Sequence, residues 1–462
     1  MQQSGACCAV ERPSADPGKA AHVAWSAGGP PFWTILRRKG VSIIPDLHIG
    51  VDVSLRAHSV AFLRSDDLAV VHRMTVPNDA GGSLALAEQI QHLCAKHDVD
   101  QVKVALEATG VYAWHLAVFL SGLDALGSHK PQVFVLQPRA VKHYRESFGS
   151  KKPKSDGADR LLLARILGHR ELLPRPFRFD DRTLPLQRLT RHRYHLVRQL
   201  VRNKNYAASY LFLKASTLAQ TRALSDPFGV AASEILLEYC TAEDIAQASV
   251  DELVGVLNRA AKGKIADPAA IALAYKRAAQ DAHTLPERLK QPVHQILSLT
   301  IQDIRHLDHQ IEAVDRLIDR EPIARNNRLR SIPGIGPVFA AGILAEIGRI
   351  ENFPSDDALA QYAGLTWPEH QSGDFAAEDT PLARTGNVYL RHYFVAAANS
   401  VRQHDAGFAA YYAKKYDEAA EHKHKRAQVL TARKLLRLAF ALLRDDRAYD
   451  PTHVPTRRRV AT

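Results

Sequence analysis

Hydrophobic residues between positions 46 and 137 follow two alternating patterns, one typical of buried strands and one typical of helices. Three strand-like patterns with short turns come first, and helical and strand-like patterns then alternate. The predicted elements are strands at Leu47–Ser54, Ser59–Leu63 and Leu68–Val76, a helix at 84–97, a strand at Val102–Glu107, a helix at Val111–Leu123 and a strand at Gln132–Leu136. This order predicts an α/β domain of the RNase H-like type.

Beyond residue 156 the apolar residues recur at helical spacing, which predicts a mainly helical remainder. A basic helix is expected at 184–213, with these apolar residues facing a partner helix: Leu186, Leu189, Val197, Leu200 and Tyr206. A later segment, 293–318, carries a heptad-like series: Ile304, Leu307, Ile311, Val314 and Ile318. The series predicts an antiparallel helical hairpin or a coiled coil used to dimerise. The helical segment 214–290 looks like an insertion.

A glycine-rich turn, Pro333-Gly334-Ile335-Gly336, precedes an Ala-rich helix and predicts a helix-hairpin-helix motif. Gly334 and Gly336 would let backbone N–H groups approach a phosphate, and the helix N-terminus would add partial positive charge. A plain turn between two helices explains the same glycines without a ligand.

The overall charge favours a polyanionic partner. The 462 residues include 61 Lys and Arg against 49 Asp and Glu, a formal net charge of +12. A basic soluble protein could have the same composition, but acidic clusters inside a basic chain favour nucleic-acid chemistry.

Cysteine usage and hydropathy indicate a reducing, cytoplasmic setting without a membrane partner. The cysteines at 7, 8, 94 and 240 show neither metal-ligand spacing nor a disulfide framework. No apolar run reaches the roughly 18 residues that a membrane span needs. The first 45 residues lack a signal-peptide pattern and are expected to be disordered.

Four carboxylates form the first candidate site. Asp52 lies in the first predicted strand, Glu107 ends the fourth, and Asp156 and Asp159 open a helix. Because a carboxylate on a buried strand is costly to desolvate, these residues indicate ligands of a hard cation. Two Mg²⁺ or Mn²⁺ ions held by the four groups would assist phosphoryl transfer. The helix dipole explains the helical pair alone, but not the two strand positions.

Basic residues are concentrated in a loop near residue 150 and along the basic helix. The predicted nucleic-acid contacts are Lys151, Lys152, Lys154, Arg188, Arg191, Arg198 and Arg202. For the helix, a solvated charged face is the alternative.

A second candidate site surrounds Ser372. Arg384 and Arg391 follow it and are predicted to bind a scissile phosphate that the serine hydroxyl attacks. An isolated Ser-Gly is usually an ordinary turn, so its meaning depends on the surrounding motifs.

Several short motifs, in order between about residues 46 and 400, together resemble the insertion sequence 110 family of bacterial transposases, which are DEDD recombinases guided by a bridge RNA. They are Gly50-Val51-Asp52-Val53-Ser54, Leu106-Glu107-Ala108-Thr109-Gly110, Lys154-Ser155-Asp156-Gly157-Ala158-Asp159, Pro333-Gly334-Ile335-Gly336-Pro337, Tyr362-Ala363-Gly364-Leu365, Ser372-Gly373, and Thr385-Gly386-Asn387 before Tyr389-Leu390-Arg391. The series is specific, although no single motif is.

The resemblance implies an RNase H-like domain of Holliday-junction-resolvase type, a coiled-coil middle and a C-terminal domain with a nucleophilic serine. It implies that Asp52, Glu107, Asp156 and Asp159 bind Mg²⁺ and that Ser372 forms a 5′-phosphoserine link to DNA. The implied partners are DNA at the element ends and target, a guide RNA, and copies of the same chain. These would form a nucleoid-associated tetramer, a dimer of dimers in which the two sites meet across subunits.

The expected domain boundaries follow from these assignments. They are a disordered extension at 1–45, the RNase H-like DEDD catalytic domain at 46–180, a helical or coiled-coil region at 181–325, a helix-hairpin-helix transposase domain with the serine site at 326–420, and a basic tail at 421–462.

Two other functions compete with a transposase that excises and inserts its own element. A structure-specific junction nuclease would use the acidic site alone and would leave Ser372 unexplained. A non-catalytic DNA-binding relic would need neither site, and the presence of all five reactive residues argues against it.

Overall fold

The computed structural model describes residues 44–108, 110–124, 129–147, 156–221, 223–367, 371–372, 375–376, 382–383 and 385–452. For 156–158, 371–372 and 375–376 the description covers the backbone. The chain divides into two compact units, Met1–Phe179 and Asp180–Thr462.

The N-terminal unit is built around one five-stranded sheet. Its elements are β1 (Leu47–Val53), β2 (Ala57–Arg64), β3 (Val70–Pro77), α1 (Ala80–His97), β4 (Val102–Glu107), α2 (Trp114–Ser121), β5 (Gln132–Leu136), α3 (Pro138–Ser147) and α4 (Asp156–Ile166), followed by a 3₁₀ turn, Arg170–Leu172. The strand order is β3-β2-β1-β4-β5. The first three strands are antiparallel, and β4 and β5 run parallel to β1. The predicted mixed α/β order is confirmed.

Side chains on the two faces of this sheet pack against different helices. One face of β1 contributes Leu47, Ile49 and Val51 to a core with α1 and α2. On the opposite face, Ala105 and Phe134 pack against α4. Alternation along each strand separates the two sets, so polar residues on the second face lie beneath α4.

Two helix starts differ from the sequence-based expectation for local reasons. Helix α1 begins at Ala80, earlier than predicted, because the Asp79 side chain accepts a hydrogen bond from the Gly82 amide at 2.7 Å. Pro138, which follows the predicted strand Gln132–Leu136, opens α3, a helix that was not predicted. A proline lacks only an amide that is unsatisfied in the first turn, so it starts a helix readily.

The C-terminal unit is almost entirely helical. Its elements are α5 (Leu184–Lys214), α6 (Val230–Glu238), α7 (Ala242–Gln247), α8 (Val250–Ala261), α9 (Pro268–Gln280), α10 (Glu287–Arg320), α11 (Pro322–Arg325), a 3₁₀ turn (Arg328–Ser331), α12 (Pro337–Ile347), a 3₁₀ turn (Ile350–Asn352), α13 (Asp356–Ala363), β6 (Gln371–Ser372), β7 (Phe375–Ala376), α14 (Val388–His404), α15 (Ala406–Asp417) and α16 (Lys423–Arg444). The predicted helical remainder is confirmed. Among the described residues, no helix is both long and apolar enough to span a bilayer.

Helices α5 and α10 form an antiparallel hairpin within one chain. Arg193 near the start of α5 pairs with Asp315 near the end of α10, and Lys214 at the end of α5 contacts His294 near the start of α10. The heptad-like residues of α10 are buried in this hairpin, so the hairpin alternative is the one observed. The predicted inward position of Tyr206 is wrong, because its side chain is 49% exposed.

The expected insertion forms a helical core of its own. Helices α6, α7, α8 and α9 pack around the end of α5 and the start of α10, which this segment connects, with Leu211 and Leu297 in the same cluster as Ile235 and Leu253. A separate cluster joins α12, α14 and α16. It includes Leu365 and Leu390, which flank the segment that carries Ser372.

Candidate active site

The two strand carboxylates, Asp52 and Glu107, are neighbours at one edge of the sheet. Pairing of the parallel strands β1 and β4 is described as far as Val51 opposite Leu106. Asp52 and Glu107 follow these residues directly, so their backbones lie roughly 5 Å apart on adjacent strands. Val51 and Leu106 are buried in the core on one face. By alternation, the two partly exposed carboxylates point to the face that α4 covers.

Gly50 allows α4 to lie directly on β1. A side chain at position 50 would collide with the carbonyl oxygen of Arg160 and press on the amide of Ala164. Only a residue without a Cβ permits so close an approach of helix backbone to strand. The glycine of the Gly-Val-Asp motif therefore has a packing role two residues before Asp52.

The direction of α4 brings its first residue towards Asp52. Gly168, just beyond the end of α4, lies near His48, and the middle of the helix lies over Gly50. The helix therefore runs opposite to β1, so its start at Asp156 is directed towards the end of β1, where Asp52 lies. The Asp156 carboxylate itself lies outside the described residues.

Asp159, the fourth predicted acid, has a cationic partner. Arg145 on α3 places Nη2 2.6 Å from Asp159 Oδ1, and the aspartate side chain is 6% exposed. An isolated buried carboxylate would cost several kcal/mol, which a close, hydrogen-bonded cation offsets. Asp159 is thus half of a buried ion pair.

The chemistry of this edge fits a hard divalent cation. Asp52 and Glu107 offer adjacent carboxylates, the oxygen donors that Mg²⁺ and Mn²⁺ prefer. Within the described part of the chain, no group of three or more His, Cys, Asp or Glu side chains has metal-binding geometry. The Asp156 carboxylate lies outside that part of the chain. The loop lysines Lys151, Lys152 and Lys154 also lie outside the described residues.

Ser372 lies in a short β-hairpin of the C-terminal unit. Strands β6 and β7 pair antiparallel, with Ser372 opposite Phe375. The serine is the last residue of β6, directly before the connection to β7.

The two ends of the hairpin segment are hydrogen-bonded to each other. The Ala383 amide donates to the Thr366 carbonyl at 2.9 Å, and the Asn387 amide donates to the Tyr362 carbonyl at 2.6 Å. These bonds join the two ends of the segment that contains Ser372. We call the joined ends, Thr366 with Ala383 and Tyr362 with Asn387, the base of the hairpin.

Two motif glycines make this closure possible. A side chain on Gly364 would collide with the carbonyl oxygen of Thr385, and one on Gly386 would collide with that of Tyr362. Both glycines also have positive φ, +67° and +102°. The Tyr-Ala-Gly-Leu and Thr-Gly-Asn motifs are therefore two halves of one interlocked base.

Asn387 connects this base to the helical core. Its Oδ1 accepts the amides of Tyr389 at 3.0 Å and Leu390 at 3.1 Å, which caps α14. Its Nδ2 donates to Glu346 Oε2 at 2.7 Å and to Tyr362 Oη at 3.1 Å.

Glu346 is a buried anion with several partners. Its side chain is 0% exposed, and Arg191 from α5 binds both oxygens, with Nε–Oε1 at 2.7 Å and Nη2–Oε2 at 2.8 Å. Arg191 was predicted to contact nucleic acid, but its guanidinium is directed to this internal pair. Glu346 was not predicted as a functional residue, although it is the only charged residue in the apolar run of α12.

The remaining predicted arginines differ in environment. Arg188, Arg198 and Arg202 are exposed on α5. Arg391 is partly buried and donates a hydrogen bond to the Ala363 carbonyl at 3.3 Å, next to Tyr362 at the base of the hairpin. Arg384 lies outside the described residues.

The glycine-rich turn is explained largely by packing. Gly334 has φ +89°, and a Cβ there would lie 2.9 Å from the Cα of Val401 on α14. Gly336 is the N-cap of α12 and has open space around it. The turn follows a 3₁₀ turn rather than a long helix, so the helix-hairpin-helix prediction stays a prediction, with Gly336 as its remaining phosphate candidate.

His392 lies in an aromatic cluster close to these residues. Its ring centroid is 4.7 Å from that of Tyr194 and 5.4 Å from that of Tyr393. Burial, helped by Arg193 and Arg198, lowers the pKa of His392 to about 4. The imidazole is therefore neutral near pH 7.

Two family models match the chain across both candidate sites. One, described as the transposase IS116/IS110/IS902 family, matches residues 326–413, and a transposase model for the IS110 DEDD domain matches residues 49–213. Together they cover more than half of the 462 residues. The chain belongs to the IS110 family of transposases.

Similar proteins extend along most of this transposase. A 44.8 kDa protein of insertion element IS116 from Streptomyces clavuligerus is 26% identical over 421 residues, covering 87% of this chain and 96% of that protein. The pilin gene-inverting protein of Moraxella bovis is 25% identical over 410 residues, covering 87% and 97%. T. thermophilus RuvC in complex with a Holliday junction substrate matches at 13% identity and TM-score 0.22, covering 29% of this transposase and 99% of that chain.

Proposed function

We propose that this transposase cleaves and rejoins DNA through a covalent link to Ser372, with divalent metal held at the acidic edge. The observation that carries the proposal is the side-by-side placement of Asp52 and Glu107 on adjacent strands. Two carboxylates on neighbouring strands can offer oxygen donors to one hard cation, which supports a divalent metal at this edge. When bound, that cation would stabilise charge on the transferring phosphoryl group.

The serine step exchanges one phosphoester bond for another. The Ser372 hydroxyl attacks phosphorus and loses its proton, while the bond to the 3′ oxygen breaks and that oxygen takes up a proton. The 5′ phosphate remains on the serine, and a free 3′ hydroxyl is left. Attack by a 3′ hydroxyl of another strand reverses the step and rejoins DNA without ATP.

Nucleic-acid binding is assigned to the basic surface. Exposed Arg188, Arg198 and Arg202 on α5 and the net charge of +12 support DNA and guide RNA as partners. The acids belong to the N-terminal unit and Ser372 to the C-terminal unit. We propose that the two sites meet across subunits of a tetramer, so that the acids of one copy serve the serine of another.

A strand-exchange assay tests this function. Protein purified with RNA transcribed from its native flanks is mixed with element-junction and target plasmids, and sequencing counts the joined products. We expect joined products with Mg²⁺, none with EDTA, and none from Ser372→Ala, which should still shift DNA in a gel. Undiminished joining without the RNA would overturn RNA guidance.

The junction nuclease is the competing function, and the adjacent acids alone would suffice for it. It predicts that Ser372→Ala still cuts DNA and leaves free 5′-phosphate ends. Asp52→Asn abolishes cutting under either function, so the serine variant is the one that separates them.

A further inference from the structure

The hydrogen bonds beneath the Ser372 hairpin converge on Asn387 and Glu346, two residues that no step of the reaction uses. We infer that Asn387 and Glu346 are positioning residues that hold this hairpin in its reactive place. The inference rests on the proposed role of Ser372 as nucleophile. It assigns the Thr-Gly-Asn motif a function that is mechanical rather than a contact with DNA.

The chemistry of Asn387 is more specific than a helix cap requires. Ser, Thr and Asp cap a helix about as well as Asn. Of these, only Asn presents an oxygen to two amides while its NH₂ group donates to two further acceptors. Here those acceptors are Glu346 Oε2 at 2.7 Å and Tyr362 Oη at 3.1 Å. The donor function is therefore the part of Asn387 that the base of the hairpin uses.

Stability alone does not require a charged residue at position 346. It lies in an otherwise apolar helix and is fully buried. Well-packed apolar residues often replace a buried ion pair without loss of stability. A buried acid that meets Arg191 from α5 and Asn387 from the hairpin base instead fixes one relative position of these elements.

A shift of Asn387 would move both ends of the hairpin segment. Asn387 belongs to the end that follows Ser372, and its amide bonds to Tyr362 at the end that precedes it, at 2.6 Å. A displacement of about 1 Å at a reacting atom can cost on the order of 100-fold in rate. Loss of the Asn387–Glu346 hydrogen bond should therefore slow the serine step and leave DNA binding intact.

An exchange of donor and acceptor tests the inference. Asn387→Asp keeps the helix cap but places a carboxylate oxygen at position 387 against the Glu346 carboxylate. We expect formation of the covalent Ser372–DNA adduct at saturating DNA to slow roughly 10- to 100-fold. Glu346→Gln should slow it less. In the double variant, Asn387→Asp with Glu346→Gln, the new side-chain amide at position 346 can donate to the new carboxylate at position 387, and we expect most of the rate to return. A double variant as slow as Asn387→Asp would overturn the inference.

Matched variants separate positioning from folding. Tyr362→Phe removes one acceptor of Asn387 at a partly exposed side chain and should slow the adduct severalfold without a change in melting temperature. Asn327→Asp makes the same chemical change at the cap of a 3₁₀ turn in the same unit, and it should leave the rate unchanged. Equal rates in wild type, Tyr362→Phe and Asn387→Asp would contradict the inference. An absence of any adduct in wild type would instead contradict Ser372 as nucleophile.

Discussion

The two candidate sites are supported in opposite ways. Asp52 and Glu107 belong to central strands of a continuous sheet, where hydrogen bonds on both sides define their separation. Ser372 belongs to a two-residue strand whose position depends on hydrogen bonds at the base of the hairpin. Metal ligands need fixed spacing, whereas a nucleophile must reach DNA. The sheet provides the first, and a hairpin with a secured base provides the second.

The same contrast appears in two arginine–carboxylate pairs. Arg145 pairs with the buried Asp159, and under the proposed function a metal ion would replace the guanidinium as the counter-charge of that carboxylate. Arg191–Glu346 lies in a helical core, where further partners surround the acid. On that proposal the first pair opens when metal binds, whereas the second is a permanent structural link. The predictions below separate these two roles.

Removing one charge from the acidic edge should have the largest effect. We expect Asp52→Asn to lower DNA cleavage at least ~10³-fold, because metal-assisted charge stabilisation is lost. Gel shifts should show unchanged DNA affinity. Asp98→Asn makes the same change at an exposed residue with a left-handed backbone conformation, which Asn adopts as readily as Asp. This variant should cleave DNA normally. Cleavage by Asp52→Asn at the wild-type rate would remove the acidic edge from the mechanism.

Mixing two inactive variants tests whether the regions cooperate across subunits. Asp52→Asn supplies an intact serine, and Ser372→Ala supplies intact acids. If the acids of one copy serve the serine of another, joined products should return when the two proteins are mixed. Inactive mixtures that still assemble into mixed oligomers, checked by affinity tags, would place both sites within one copy.

Truncating the structural acid should destabilise the helical unit strongly. Glu346→Ala leaves Arg191 without its buried partner and Asn387 without an acceptor, and we expect a loss of about 3–5 kcal/mol in unfolding free energy. Chemical denaturation measures it. Glu351→Ala, at an exposed pair with Arg349, should change stability by less than about 0.5 kcal/mol.

Removing the Arg145 guanidinium should lower the unfolding free energy by a smaller amount, which depends on whether metal is bound. Arg145→Met leaves Asp159 uncompensated, and we expect a loss of roughly 1–3 kcal/mol in EDTA. Mn²⁺ should raise the melting temperature of this variant more than that of wild type. Lys142→Met, on the exposed side of the same helix, serves as control. Equal stabilisation of wild type and Arg145→Met by Mn²⁺ would argue against Asp159 as a metal ligand.

The smallest effect concerns acid stability. The pKa of His392 is lowered to about 4, below its unfolded value near 6.5, by burial and by Arg193 and Arg198. Between these values the unfolded chain binds more protons, so stability should fall as pH drops from 6.5 to 4. We expect His392→Phe to reduce the loss of unfolding free energy between pH 6.5 and pH 4 by roughly 1–2 kcal/mol. An unchanged slope would show that His392 does not set the acid response.

The sequence predicted what depends on local periodicity. Strand β4 has the predicted bounds, and the α10 heptad series faces a partner helix, because apolar spacing directly reports a buried face. Asp52 and Glu107 were recognised because acids in apolar runs are unusual.

Partners distant in sequence were not predictable in this way. Arg191 looked like one more basic residue of α5, and its role depends on Glu346, 155 residues further along. Arg145 and Asp159 meet only because α3 packs beside α4. Helix α3 was not predicted, because a proline directly after a strand is as typical of a turn as of a helix start.

The most direct test of the account is to map the covalent link itself. Wild-type protein is incubated with Mg²⁺ and a nicked element-end duplex that traps the intermediate, then digested and analysed by mass spectrometry. The account predicts a nucleotide attached through its 5′ phosphate to the peptide that contains Ser372, absent in Ser372→Ala and in EDTA. Efficient cleavage with no attached peptide, or attachment at another residue, would contradict it.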